Sequence, residues 1–181
     1  INSVPDPTNT GDGPLSAGWA LGTNSGVTLT PSITSDSRGL LTLGRWQEFG
    51  IVVAGAGGWC NYTLTPSPAI NLTAGHTYSV SFCLQVEDIG GGLLSSINSN
   101  ASGIHLLVTR GGSHVENILL SRFPARAYGS THMGRISYLF TPASSHTSCS
   151  ITLTVILNDP LNIKIRIGRL AIIDITEHGI I

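Results

Sequence analysis

Thr77-Tyr78-Ser79-Val80-Ser81-Phe82-Cys83-Leu84-Gln85-Val86-Glu87 alternates residue by residue: Tyr78, Val80, Phe82, Leu84 and Val86 fall on one side, and Thr77, Ser79, Ser81, Cys83, Gln85 and Glu87 on the other. Successive side chains of a β-strand point to opposite faces, so this segment reads as a strand with one face in a core and one face polar. Outward from it the same period recurs at Cys60/Tyr62/Leu64, Ile104/Leu106/Val108, Ile136/Tyr138/Phe140, Cys149/Ile151/Leu153/Val155/Leu157 and Ile163/Ile165/Ile167. Weaker strands are expected near 27–30, 40–44, 49–54 and 115–120. Turn signals separate them, among them Thr65-Pro66-Ser67-Pro68, Ala74-Gly75, Gly111-Gly112 and Asn158-Asp159-Pro160. No stretch carries a sustained helical period. Parallel strands buried on both faces would read as continuous apolar runs, whereas these keep one polar face each. The expected fold class is therefore all-β, a two-sheet antiparallel β-sandwich (jelly roll) of about ten strands.

The 181 residues fit one domain, and only 10% of them are charged against a typical ~25%. With a formal net charge of -1 and a single lysine, Lys164, the chain lacks the cationic surface that nucleic acid or an anionic membrane would require. No apolar run reaches the ~18–20 residues of a spanning helix, so membrane insertion is not expected either. So few charges leave apolar surface to be covered, which points to oligomerisation or assembly. Residues 1–18, with Pro5, Pro7, Gly11, Gly13, Pro14 and Gly18, cannot form a helix or a central strand. They read as an extended arm, either loosely packed or docked on a neighbouring subunit, leaving 19–181 as the sandwich domain.

Cys60, Cys83 and Cys149 are odd in number and widely spaced, so they offer neither a metal nor a redox motif, and alternation puts Cys60 and Cys149 on core faces. Three sequons, at Asn61, Asn71 and Asn100, are about what chance gives in a chain so rich in Ser and Thr. HExxH, GxSxG and GxxxxGK are all missing, and the six histidines have no ligand spacing. A glycosidase would need two acids converging in a groove, and nothing in the spacing of the 10 acidic residues favours such a pair. No catalytic residue is expected. Binding residues are more legible. If Cys60, Tyr62 and Leu64 face the core, Trp59 points the other way with Asn61 and Thr63, leaving an indole at a polar surface. Trp46, beside Arg45 and Gln47, is a second aromatic candidate. Arg126, Tyr128 and His132 bring donors and an aromatic ring into a loop spanning 122–134, and a long polar loop spans 88–103. Trp19 is placed to anchor the arm, while Leu107, Leu119, Leu139 and Ile156 fall on outward faces suited to packing against neighbours.

The stretch Ala69-Ile70-Asn71-Leu72-Thr73-Ala74-Gly75-His76-Thr77-Tyr78-Ser79-Val80-Ser81-Phe82 resembles the x-I-x-L-x-A-G-x-T-Y-x-x-S-F signature of carbohydrate-binding-module-like (galactose-binding-like) jelly rolls. Tyr138-Leu139-Phe140-Thr141-Pro142 and the closing segment Ile165 to Asp174 follow in the family's order. The likeness covers roughly residues 59–175. It implies a non-catalytic module that works in a multimeric extracellular or virion assembly, such as a phage capsid or tail fibre. There it would serve a structural or cementing role, as a homo-oligomer among neighbouring subunits, with glycan or host-receptor binding. The alternative it implies is a stand-alone, lectin-like glycan-binding module attached to a glycoside hydrolase. It also implies a structural calcium, with Asp174 at the matching position.

Overall fold

A computed structural model describes residues 2–3, 19–35, 45–53, 57–64, 69–89, 103–119, 134–157 and 161–177. Twelve strands follow in chain order: β1 (Asn2–Ser3), β2 (Trp19–Ser25), β3 (Val27–Ser35), β4 (Arg45–Val53), β5 (Gly58–Leu64), β6 (Ile70–Leu72), β7 (Tyr78–Asp88), β8 (Gly103–Arg110), β9 (Ser113–Leu119), β10 (Gly134–Phe140), β11 (His146–Leu157) and β12 (Leu161–Asp174). No helix occurs among the described residues. One sheet runs β10-β7-β12-β4-β3 with β1 added on β12, and the other runs β2-β5-β11-β8-β9 with β6 added on β11. Every pairing is antiparallel. The fold is the jelly-roll sandwich expected, with short β1 and β6 and β2 as strands the alternation did not foresee, while the strand expected near 40–44 falls on residues that lie outside the described ones.

The core is the sum of the alternations. Tyr78, Val80, Phe82, Leu84 and Val86 of β7, Ile151, Leu153 and Val155 of β11, and Ile163, Ile165 and Ile167 of β12 are all essentially inaccessible. Phe49 of β4 meets Tyr62 of β5 across the gap between the sheets, ring centroids 3.9 Å apart, so the largest side chains bind one sheet to the other. Tyr78 and Phe140, on adjacent strands, stack at 5.7 Å.

β7 departs from its expected half-buried character, since Ser81, Cys83 and Gln85 on its outward face are buried as well. Long cations lie over them: Arg135 Nη2 donates to Ser81 Oγ at 3.1 Å, and Arg166 Nη1 donates to Gln85 Oε1 at 2.7 Å. Arg166 also holds Glu48 (Nε to Oε2, 2.6 Å) and Glu87 (Nη1 to Oε2, 3.1 Å), forming a three-strand strut over β4, β12 and β7.

β12 changes face midway. A bulge between Gly168 and Ala171 inserts one extra residue into its pairing with β7, so the buried set moves from Ile163, Ile165 and Ile167 to Leu170, Ile172 and Asp174. At the other end of the sandwich, Gly26 alone separates β2 in one sheet from β3 in the other. It has φ +67°, and a Cβ there would lie 2.8 Å from Gly57 O, so only glycine turns this corner. On the opposite side Tyr138 of β10 donates its hydroxyl to Glu116 Oε1 of β9 at 3.1 Å, bridging the two sheets' far edges. Within the expected arm, Asn2 and Ser3 pair with Ile172 and Ala171 as β1, and residues 4–18 lie outside the described residues.

No disulfide joins Cys60, Cys83 and Cys149, and all three are buried. Burial pushes the Cys60 thiol up to about 12, and it raises that of Cys149 as well. A thiolate is the reactive form, so a disulfide-exchange reagent at pH 8 should modify none of the three in the native protein within minutes and all three after unfolding in guanidinium. Fast modification of a native thiol would contradict this packing.

Candidate functional site

The register of β5, β11, β8 and β9 writes the outer face of their sheet as cross-strand rows. The first row sets Trp59 beside Ile156, with Gly103 beyond. Next come Asn61, Thr154 and His105. Thr63, Thr152, Leu107 and Asn117 form the third row, and Ser150, Thr109 and His114 the fourth. These side chains, with Gly22 of β2 and the Gly111-Gly112 turn, line a groove of about 680 Å³. The size is that of a small-molecule site. β2 reaches the groove wall at Gly22, where an added Cβ would press within 3.2 Å of Asn61.

Trp59 stands at one end with its indole 39% exposed. Such exposure leaves a flat apolar face open to whatever lies in the groove. Behind it the hydroxyls are tied to one another: Thr154 donates to Asn61 Oδ1 at 2.7 Å, while Thr152 Oγ1 lies 3.3 Å from Thr63 Oγ1 and 3.4 Å from Thr109 Oγ1. His105, only 3% exposed, has Nδ1 2.9 Å from Asn117 Oδ1. Its Nε2 is buried and has no hydrogen-bond partner. A buried polar atom in that state costs about 1–3 kcal/mol, so the groove wall carries an unmet demand for a hydrogen bond.

No Asp, Glu, Lys or Arg is among the described lining residues. Two-carboxylate hydrolysis therefore has no acids to work with there. The two acids that do converge, Glu48 and Glu87, lie on the other sheet, and both are bound by Arg166 as acceptors in an ion-pair strut.

Trp59 and Asn61, expected at one polar surface, share this groove. Leu107 and Ile156, expected on open outer faces, line it too, and Leu107 is only 4% exposed in its floor. Leu139 stands apart on β10 at 57% exposure. The backbones of Trp19, Trp46 and Leu119 belong to β2, β4 and β9, while their side chains lie outside the described residues, as do Arg126, Tyr128 and His132 altogether. The expectations missed His105, Asn117, His114 and the Thr109, Thr152 and Thr154 hydroxyls. The signal for part of this set was present, because the apolar Ile104/Leu106/Val108 alternation obliges His105 and Thr109 to face outward with Leu107.

Asp174 sits at the end of β12, 9% exposed. Its Oδ2 lies 2.8 Å from His76 Nδ1 and its Oδ1 accepts the Glu177 N–H at 3.0 Å. Tyr78 donates to it as well, while Tyr78 Oη accepts the Thr73 N–H at 2.8 Å. No group of three His, Cys, Asp or Glu side chains gathers around it among the described residues. Burial alone would raise the Asp174 carboxyl, but the Glu177 N–H, the hydrogen bonds from His76 and Tyr78 and the charge of His76 hold it below its ordinary value.

No protein-family model matches the chain, and no curated protein matches it. Solved structures do. The enzymatically active domain of a bacteriophage CBA120 tailspike protein 4 superposes with a TM-score of 0.57 at 15% identity, over 95% of this chain and 21% of that one. A carbohydrate-binding module from a study of promiscuous specificity in the β-sandwich superfamily gives 0.53 at 13% identity, over 86% of this chain and 57% of that one. An arabinose-bound α-L-arabinofuranosidase gives 0.52 at 18% identity, over 86% and 23%. This chain thus spans between a fifth and three fifths of the length of each. The likeness establishes a carbohydrate-binding-module-like β-sandwich.

A carboxyl depressed in the folded state stabilises that state above its unfolded pKa of about 4, and the benefit disappears as pH falls through the lower folded value. Asp174→Asn should therefore cost about 1 kcal/mol at pH 7 and less at pH 3, read as the urea midpoint at each pH. An equal loss at both pH values would mean that the carboxylate's charge does not matter.

Proposed function

We propose that this chain is a non-catalytic module that binds neutral glycans in the groove on the outer face of the β5/β11/β8/β9 sheet. The observation that carries the reading is the lining itself: an exposed indole at one end, an aliphatic floor, and amide, hydroxyl and imidazole groups in rows, with no charged side chain among the described residues. A pyranose presents apolar C–H faces and a ring of hydroxyls, which this surface complements by stacking on Trp59 and hydrogen bonding from Asn61, Asn117 and His105. Sialic acids, uronates and sulfated sugars would bring a charge to a place with nothing to pair it. The carbohydrate-binding module and the sugar-bound glycosidase among the structural neighbours support this reading through the fold they share.

A second reading, that the chain is cemented into a multimeric extracellular or virion assembly, is supported by different observations. Leu139 is 57% exposed, with Leu21 at 46% and Val52 at 41%, and the tailspike domain has the same fold. The two readings are compatible because Leu139 and Val52 lie on the sheet opposite the groove.

Calorimetric titration with cellotriose, mannotriose, xylotriose and galactotriose, against sialyllactose and trigalacturonate, tests the proposal. At least one neutral triose should bind, with an affinity unchanged by chelator or by 0.5 M salt, and Trp59→Ala should weaken it about 30-fold or more. Binding that survives Trp59→Ala, or that prefers the charged sugars, would overturn it. For the assembly reading, light scattering should show an oligomer that Leu139→Ser loosens while triose binding is retained.

A further inference from the structure

His105 holds a lone pair that nothing among the described residues uses. The oxygen of Asn117 can only accept, so Nδ1 of His105, 2.9 Å away, carries the ring proton and donates it, which leaves Nε2 as an unprotonated acceptor. That nitrogen is buried without a partner in a residue that lines the groove. Its row neighbours cannot fill it. Thr154, directly across on β11, spends its hydroxyl proton on Asn61, and Leu107 and Asn117 make up the next row.

We propose that His105 Nε2 reads a ligand hydroxyl in the groove. This rests on the groove being the glycan site and adds to it a specificity element. A bound sugar that donates a hydroxyl to Nε2 satisfies the orphaned acceptor, and a deoxy sugar at that position would leave it empty. The polar groups that the register sets nearest the ring among the described residues, Thr154, Asn61 and Asn117, already hold hydrogen bonds of their own.

The test uses the folded chain with the same four neutral trioses. Long-range proton–nitrogen NMR of the free protein should show the Nδ1–H form of His105, and a bound triose should shift Nε2 more than Nδ1. His105→Gln, whose amide oxygen is an acceptor, should keep the affinity within about threefold, while His105→Phe, which offers no acceptor, should weaken it about tenfold. A protonated Nε2 in the free protein, or His105→Phe binding as tightly as the native chain, overturns the inference while Trp59-dependent binding leaves the glycan site standing. Failure of every triose to bind, or indifference to Trp59→Ala, overturns the glycan site and the inference together.

Discussion

Everything on the groove side of the molecule depends on the register of β11. It is the central strand of its sheet, paired with β5 on one side and β8 on the other, and its inward residues Cys149, Ile151, Leu153 and Val155 are almost completely buried. A slip of one residue would turn four apolar side chains to solvent and Thr152 and Thr154 into the core, a cost of many kcal/mol at about 2 kcal/mol per buried aliphatic side chain. The core therefore fixes which groups meet on the outer face. Trp59 beside Ile156, Asn61 beside Thr154 and His105 in the same row are consequences of packing on the other side of the sheet.

The two outer faces have been given different chemistry. On one, Arg166 gathers Glu48, Glu87 and Gln85 into a network that spans three strands. On the other, the described groove lining has no Asp, Glu, Lys or Arg. In a chain with so few charges this segregation has a physical logic. A shared guanidinium with several partners can stabilise its sheet through geometry that an isolated surface pair lacks, whereas a charge in the groove would have to be desolvated whenever that face was covered.

Much of the fold was legible in the sequence because antiparallel sandwiches obey a period of two, and the strand that runs from Tyr78 carried that period without interruption. The orientation of Trp59 followed by the same rule from Cys60 and Tyr62. What escaped was everything that breaks the period or comes from far away in sequence. The β12 bulge after Gly168 moves Leu170, Ile172 and Asp174 to the face that Ile163, Ile165 and Ile167 had occupied, and two apolar alternations joined out of phase look like one longer strand. The groove was half visible. Its partners lie far apart in sequence, 93 residues in the case of Asn61 and Thr154, and alternation says which way a side chain points without saying what stands across from it. Leu107 and Ile156 were read as open apolar surface for that reason, although their neighbours enclose them in a groove.

The corner at Gly26 and the Tyr138–Glu116 bridge make the two long sides of the sandwich unequal. One is a covalent spine, a single residue of chain passing from β2 to β3; the other is a clasp made of side chains between β10 and β9. A book so bound opens from the clasp. Strand β9 is the groove wall on that side, bearing Asn117 and His114, while Gly22 and Trp59 belong to the spine side. The groove thus has one wall beside a covalent corner and the other beside a clasp of side chains.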